Sequence, residues 1–427
     1  MSGVTKRVLL ASSGGAPDLY WMSLLGGAST DQARGVAVDS SSSIIVTGQT
    51  ASDGAGGDDL LIAKYNSSGV LQWGRTLGGS GTDIGQAVAT DSSDNIIVVG
   101  HTTSDGVGGN DFLIAKYNSS GALQWDRTLG GSSQDYVHGI AIDSSDNIIV
   151  AGYTKSDGAG NNDFLIAKYN SSGVLQWDRT LGGSSTDEGF AVAIDSSDNI
   201  IVAGQARSDG AGDDDFLIAK YNSSGVLQWD RTLGGSGIDE GFAVAIDASD
   251  NIVVAGSTTS DGAGSSDFLV AKYSPSGVLQ WDRTLGGSGL DVARGVSIDS
   301  SDNIIVAGYT TSDGAGSYDF LIAKYNSSGT LQWDRTLGGS GTELAFAVAV
   351  DSSDNIIVTG YTTSDGAGSS DFLTAKLPSD GSLEGTYGSF TYAAAVLTDA
   401  PAVLTDAAAV LTDAPAVLTD ELIEITP

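Results

Sequence analysis

The chain has 427 residues, no cysteine and a formal net charge of −34, from 53 acidic against 19 basic residues. The missing cysteines exclude disulfide staples, thiolate metal sites and a cysteine nucleophile, and a surface this anionic gains nothing from counterion release, which excludes nucleic acid and argues against anionic membranes as partners. Hydrophobic residues make up 40% and the 60 glycines follow no Gly-X-Y period, so the chain reads as globular with a sizeable core.

Residues 1–19 form a lead-in. Its basic pair Lys6-Arg7 precedes only Val8, Leu9, Leu10 and Ala11, too short a run for a secretory signal. No later stretch reaches the length of a membrane span. The expectation is a soluble chain with no detected signal peptide.

From Trp21 onward the sequence repeats. Tryptophans stand at Trp21, Trp73, Trp125, Trp177, Trp229, Trp281 and Trp333, each 52 residues after the last, and the next step falls on Gly385. The unit Ala191–Gly234 shows the pattern. Ala191 to Asp195 reads as a strand, Ser196-Ser197-Asp198-Asn199 as a tight turn, and Ile200 to Gly204 as a second strand. A glycine-rich loop, Ser208 to Gly212, leads to a third strand, Phe216 to Tyr221. Asn222-Ser223-Ser224-Gly225 turns into a fourth, Val226 to Leu233. Runs such as Ile200-Ile201-Val202-Ala203 are apolar on both faces and predict strands covered on both sides. Four short strands per unit, repeated, predict a propeller blade.

The chain ends select a closed ring over a β-solenoid. Tyr20 to Leu25 matches the fourth, tryptophan-bearing strand, and the last unit lacks its own fourth strand after Lys376. The prediction is an all-β, seven-bladed β-propeller over residues 20–384, closed by the N-terminal strand, with a repetitive tail over 385–427.

Three segments carry a family resemblance: Gly-Gly-Ser-Gly-Thr-Asp, Ala-Ile-Asp-Ser-Ser-Asp-Asn-Ile-Ile-Val-Ala-Gly and Asp-Phe-Leu-Ile-Ala-Lys-Tyr. Over roughly Tyr20 to Leu383 the repeat resembles the bacterial β-propeller repeat family often called SBBP, found mainly in surface and secreted proteins. The resemblance implies the fold and a surface setting. It implies no single activity and carries over no catalytic residues.

Comparing the copies separates a monotonous face from a varied one. The Asp-Ser-Ser-Asp-Asn and Asn-Ser-Ser-Gly turns barely change. On the other face, just before the first strand, stand Arg34, Gln86, His138, Phe190, Phe242, Arg294 and Phe346. At the end of the second strand stand Gln49, His101, Tyr153, Gln205, Ser257, Tyr309 and Tyr361. Arg34, Gln86, His138, Phe190, Phe242, Arg294 and Phe346, with Tyr153, Tyr309 and Tyr361 as stacking surfaces, are the candidate ligand-binding set; loop drift is the competing reading.

His101 and His138 are the only residues able to act as neutral-pH bases, and both are expected at the surface. Carboxylates recur as rings: Asp31, Asp83, Asp135, Asp187, Asp239, Asp291 and Glu343 at the blade links, a second beginning with Asp53 and a third with Asp59. Calcium is a candidate ligand of the link ring, because hard ions take oxygen ligands. The favoured reading is that each aspartate caps backbone N–H groups of its own turn. No cofactor is required. A sevenfold ring offers like carboxylates where glycosidase chemistry needs unlike ones, so an enzyme is not expected.

From Ala394 the tail repeats Ala-Val-Leu-Thr-Asp-Ala every seven residues, with Pro401 and Pro415 opposing a coiled coil. Extended pieces with bends fit better. With no strand position foreseen for it within the closed ring, the tail is expected to mediate self-association or docking on a particle. The functional expectation is a non-enzymatic recognition propeller, extracellular or on a virion such as a phage tail fibre, binding a cell-surface glycan or protein. A secreted bacterial adhesion protein is the alternative, and a propeller hydrolase or lyase comes last.

Overall fold

A computed structural model describes residues 4–10, 20–210, 212–409, 411–414 and 418–422. Blade 1 runs Asp31–Val38, Ile44–Thr50, Asp59–Tyr65 and Leu71–Leu77, an antiparallel meander. Blades 2 to 6 repeat it, ending with Leu331–Gly338. Blade 7 takes Glu343–Val350, Ile356–Thr362 and Asp371–Leu377 from one end of the chain and Trp21–Gly26 from the other. Trp21 lies opposite Lys376 and Leu25 opposite Phe372. The N-terminal strand thus closes a ring of seven blades.

Burial follows each strand's place in the ring. Every residue of Ile44–Thr50 and of Asp59–Tyr65 is buried, because neighbouring blades cover both faces of these strands. That is why they are apolar throughout rather than alternating. The first strand alternates along the central channel, and the fourth is half-exposed at the rim. Trp21 is fully buried, but Trp73 and the tryptophans of blades 2 to 6 are only partly so. Each ring lies against the next blade's turn: a Cβ on Gly121, at φ 80°, would come 2.9 Å from the Trp73 ring. Glycine is required there for backbone and contact alike.

The monotonous turns join the blades. Asp91 Oδ1 accepts the N–H groups of Ser93 and Asn95 at 2.9 Å each. Asp94 takes a left-handed conformation, φ 58°, tolerated by aspartate, and its carboxylate accepts Ser40 N–H of the preceding blade at 2.9 Å. Lys116 Nζ lies 2.8 Å from Asp91 Oδ2 and donates at 3.2 Å to the Ser171 carbonyl of the next blade. Lys376 repeats this across the closing joint, to Asp351 at 2.7 Å and to Ser67 O of blade 1 at 3.4 Å.

The tail corrects its forecast. A closed ring leaves no free edge between blades, but each blade's fourth strand still has an outer edge. The chain turns back at Gly385–Tyr387 and runs round the rim against the blade order. Phe390–Ala394 pairs with the fourth strand of blade 6, Thr398–Ala400 with blade 5 and Thr405–Ala407 with blade 4. Thr412–Ala414 pairs with blade 3 and Thr419–Leu422 with blade 2. One seven-residue period spans one blade, an extended reach of about 23 Å. In the lead-in, Val4–Leu9 covers the outer edge of blade 7 by pairing with Trp21–Gly26. Blade 1 alone stays four-stranded among the described residues.

Candidate functional site

The varied residues converge. In every blade the first and second strands slip register by one residue, and the extra residue is the varied one: Arg34 between Ala33 and Gly35, Gln86, His138, Phe190, Phe242, Arg294 and Phe346. These positions lie within the first strand, not before it. A β-bulge bends its strand and re-aims one side chain, and here it turns seven of them into the mouth of the central channel. The glycine of the second strand makes room: a Cβ on Gly204 would lie 1.9 Å from the Glu188 carbonyl. The seven side chains line a cavity of about 270 Å³, just below the ~300–1,000 Å³ range of ligand pockets. A ring of Val36, Val88, Ile140, Val192, Val244, Val296 and Val348 lies below it.

The lining is aromatic and cationic. His101 meets Tyr136 edge-on at 4.7 Å, Tyr136 lies 5.2 Å from Tyr153, and Tyr153 stacks on His138 at 5.7 Å. His138, Phe190 and Phe242 continue the arc at 5.4 and 5.3 Å. Arg294 lies over Phe242 at 3.8 Å and near Tyr309 at 5.8 Å. Arg34 lies over Phe346 at 5.7 Å and donates to Gln49 Oε1 at 2.9 Å; Phe346 lies 6.0 Å from Tyr361. Among the described residues neither arginine forms a salt bridge, unlike Arg207, held by Asp214 at 2.5 Å.

His101 is buried and His138 half-buried at the channel mouth, which corrects the expectation of two surface residues. His101 is 7% exposed, and both lie inside the aromatic arc. Burial, then Arg34, lowers His101 to about 4. Burial, then His101, Arg34 and Arg294, lowers His138 to about 3. Both are therefore neutral at pH 7. His101 Nδ1, His138 Nε2 and Arg294 Nε are buried without a hydrogen-bond partner, leaving unmet polar capacity around the cavity. Burial also lowers Arg34, with Arg294 adding to the effect and Asp58 opposing it.

Tyr136, Glu188 and Glu240 join this neighbourhood unforeseen. They occupy the second residue of the first strand, where the copies read Gln32, Ile84, Tyr136, Glu188, Glu240, Val292 and Leu344. That variation was open to the same comparison of copies. Burial raises the pKa of both glutamates; the Asn162 hydrogen bond opposes this for Glu188, as Arg294 does for Glu240.

The link-ring carboxylates stay apart, one per blade joint. Asp31 is 1% exposed. Its Oδ2 accepts Gly27 N–H and Ser52 Oγ–H, both at 2.7 Å, and its Oδ1 accepts the Thr50 hydroxyl. Asp83 and Asp135 repeat this set, while Asp187, Asp239 and Asp291 accept the matching glycine N–H and serine hydroxyl. No group of three metal-ligating side chains occurs among the described residues. Asp31 Oδ2 could reach an ion only by giving up turn hydrogen bonds.

Comparison with known proteins agrees with this architecture. The SBBP β-propeller repeat model matches residues 124–158. A β-propeller domain of unknown function, DUF5122, matches residues 92–123, 144–175, 248–279, 300–331 and 352–387. An uncharacterized WD repeat-containing protein of Acanthamoeba polyphaga mimivirus is 24% identical over 434 residues, covering 72% of this chain and 31% of that protein. The regulatory protein FlaEY of Caulobacter vibrioides is 29% identical over 119 residues, 25% of this chain and 12% of that protein. The chain thus spans under a third of the length of these relatives. Among solved structures, the Neurospora crassa Pan2 WD40 domain is 10% identical with a TM-score of 0.46, covering 80% of this chain and 88% of that one. Polysaccharide lyase Uly1 is 8% identical with a TM-score of 0.49, covering 82% and 90%. With its 52-residue unit and its closed ring of blades, the chain is a seven-bladed β-propeller, parts of which match the SBBP and DUF5122 β-propeller repeat models.

Proposed function

We propose that the chain is a non-enzymatic recognition propeller whose varied face takes a small acidic or neutral group, a sugar unit of a surface glycan above all, into the channel mouth. One observation carries this reading. Seven bulged side chains converge on one cavity, and two of them are arginines without salt bridges in a chain of net charge −34. A guanidinium fork matches a carboxylate, and the aromatic arc offers faces to a sugar ring. The neutral histidines add one donor and one acceptor each. They lack the near-neutral pKa that general acid–base catalysis uses, which supports binding over turnover.

The setting we infer is display on a surface or particle. A mimivirus relative supports the virion form of this reading, and the surface setting of SBBP-type repeats supports the bacterial adhesion form. The test is a glycan array followed by titration calorimetry, comparing wild type with Arg34→Ala and Arg294→Ala. Losing one charge-assisted hydrogen bond is expected to weaken binding about tenfold or more in each variant. Full affinity in both variants would place the site elsewhere.

A further inference from the structure

The rim of blade 1 differs from the other six. Blades 2 to 6 carry a tail strand and blade 7 carries Val4–Leu9, while Leu71–Leu77 has no fifth strand among the described residues. Its chemistry matches its sisters at the paired positions: Thr76-Leu77-Gly78 stands where blade 5 has Thr284-Leu285-Gly286, the residues that pair with Ala400, Asp399 and Thr398. An exposed edge of this kind is a template for strand addition.

Side chains around the edge point to what it accepts. On blade 4 the tail aspartate Asp406 accepts the hydroxyl of Tyr273, from blade 5, at 3.2 Å, with Arg231 nearby. On blade 5, Asp399 lies beside Tyr325 and Arg283, although the Tyr325 hydroxyl, like that of Tyr117, makes no hydrogen bond. The corresponding residues on blade 1 are Tyr117 and Arg75. Tyr117 is 1% exposed, Arg75 lies close by, and the Tyr117 hydroxyl has no hydrogen-bond partner. Gly131, Gly183, Gly235 and Gly287 each lie against a tail leucine, Leu418, Leu411, Leu404 and Leu397; Gly79 of the blade 1 edge has none among the described residues.

We propose that the outer edge of blade 1 is a docking site for an extended Leu-Thr-Asp strand of a separate polypeptide, its aspartate accepting from the Tyr117 hydroxyl beside Arg75. In the sequence, the next seven-residue step reads Thr426-Pro427 where the paired periods read Thr-Asp, and proline brings neither a side-chain carboxylate nor an N–H. A second copy has five tail strands for its own five edges, so lending one uncovers another. A partner strand covers the edge at no such loss.

The experiment adds the synthetic peptide Ala-Val-Leu-Thr-Asp-Ala, or its Asn-for-Asp form, to the full-length protein. Hydrogen exchange is followed at residues 71–78, and mass is measured by sedimentation. The expected result is fast exchange at 71–78 without peptide, slowed by the Asp peptide and about tenfold less readily by the Asn peptide or in Tyr117→Phe. Tyr117→Phe alone is expected to leave the melting temperature unchanged or higher, since it removes an unsatisfied buried hydroxyl, whereas Tyr273→Phe lowers it. Slow exchange in a peptide-free monomer would assign the edge to the chain itself, and slow exchange in a dimer to a second copy. Either result, or no slowing by any peptide, overturns the proposal. Channel variants are not expected to change this binding, so the result is independent of the glycan reading.

Discussion

Arg294 of blade 6 lies over the Phe242 ring of blade 5, its guanidinium carbon 3.8 Å from the ring centre, across a blade joint at the channel mouth. Its Nε has no hydrogen-bond partner, so the stack holds the guanidinium plane while leaving donors for a ligand. Lysine keeps the charge but offers neither plane nor fork. Arg294→Lys is expected to weaken an acidic ligand about tenfold, with little change in melting temperature. Calorimetry showing wild-type affinity for the lysine variant would remove Arg294 from the site.

Two sets of carboxylates set opposite pH trends. Burial raises Asp59, Asp163, Asp267, Asp319 and Asp371. A raised folded pKa stabilises below the unfolded value of about 3.9, and that stability is lost as pH rises through the folded value. Asp39, Asp91 and their equivalents are pushed up by burial, but the partner lysine and turn hydrogen bonds outweigh it and lower them. Their stabilisation is present above about 3.9 and is lost as pH falls through the lower folded value. His101 and His138, lowered to about 4 and about 3 in the fold, oppose the first set: their stability is present above the unfolded value of about 6.5 and is lost as pH falls below it. His101→Gln with His138→Gln is therefore expected to lose less stability than wild type between pH 7 and about 4. Urea titrations across pH in which the double variant loses as much as wild type contradict this.

Closure rests on the pairing of Trp21–Gly26 with Asp371–Leu377. Deleting residues 1–25 removes the fourth strand of blade 7, the fully buried Trp21 and the strand outside it. The melting temperature is expected to fall by about 10 °C or more. An unchanged melting curve would mean that the ring closes without this strand.

Blade number, strand order and closure were legible because the 52-residue unit repeats its tryptophan, its turns and its doubly apolar strands. The candidate residues were legible as variation among copies. Their convergence was not, because a bulge leaves no mark in a single unit beyond the glycine opposite it. His101 and His138 looked like surface residues because sister blades hold other types there; in the fold those same positions face the channel. The tail was misjudged because its seven-residue period and the blade's 52-residue period match only in space, at the rim.

Calcium tests the link ring. Asp31, Asp83 and Asp135 are occupied by hydrogen bonds from glycine N–H, threonine and serine. Millimolar calcium or a chelator is expected to shift the melting temperature by less than about 1 °C, since a ligand stabilises only when it exceeds its Kd. A shift of several degrees that disappears in Asp83→Asn would make the ring a calcium site.

The tail presents two different faces to test. Leu397 and Leu404 are partly buried against the blade clusters, over Gly287 and Gly235, whereas Val396 and Val403 are 86% and 84% exposed. The leucines hold the tail to its own ring, and the valines face outward. We propose that these valines also mediate self-association, and the two roles separate by substitution. Leu397→Ala with Leu404→Ala is expected to lower the melting temperature, each leucine contributing about 1–2 kcal/mol when half-buried, and to leave the mass in solution unchanged. Val396→Ser with Val403→Ser is expected to leave the melting temperature within a degree or two, since exposed positions carry little stability, and to reduce the mass toward that of a monomer. Sedimentation of both variants beside wild type decides the matter. A wild-type monomer in the presence of its native particle or surface, unaffected by the valine changes, would confine the tail to reinforcing the ring.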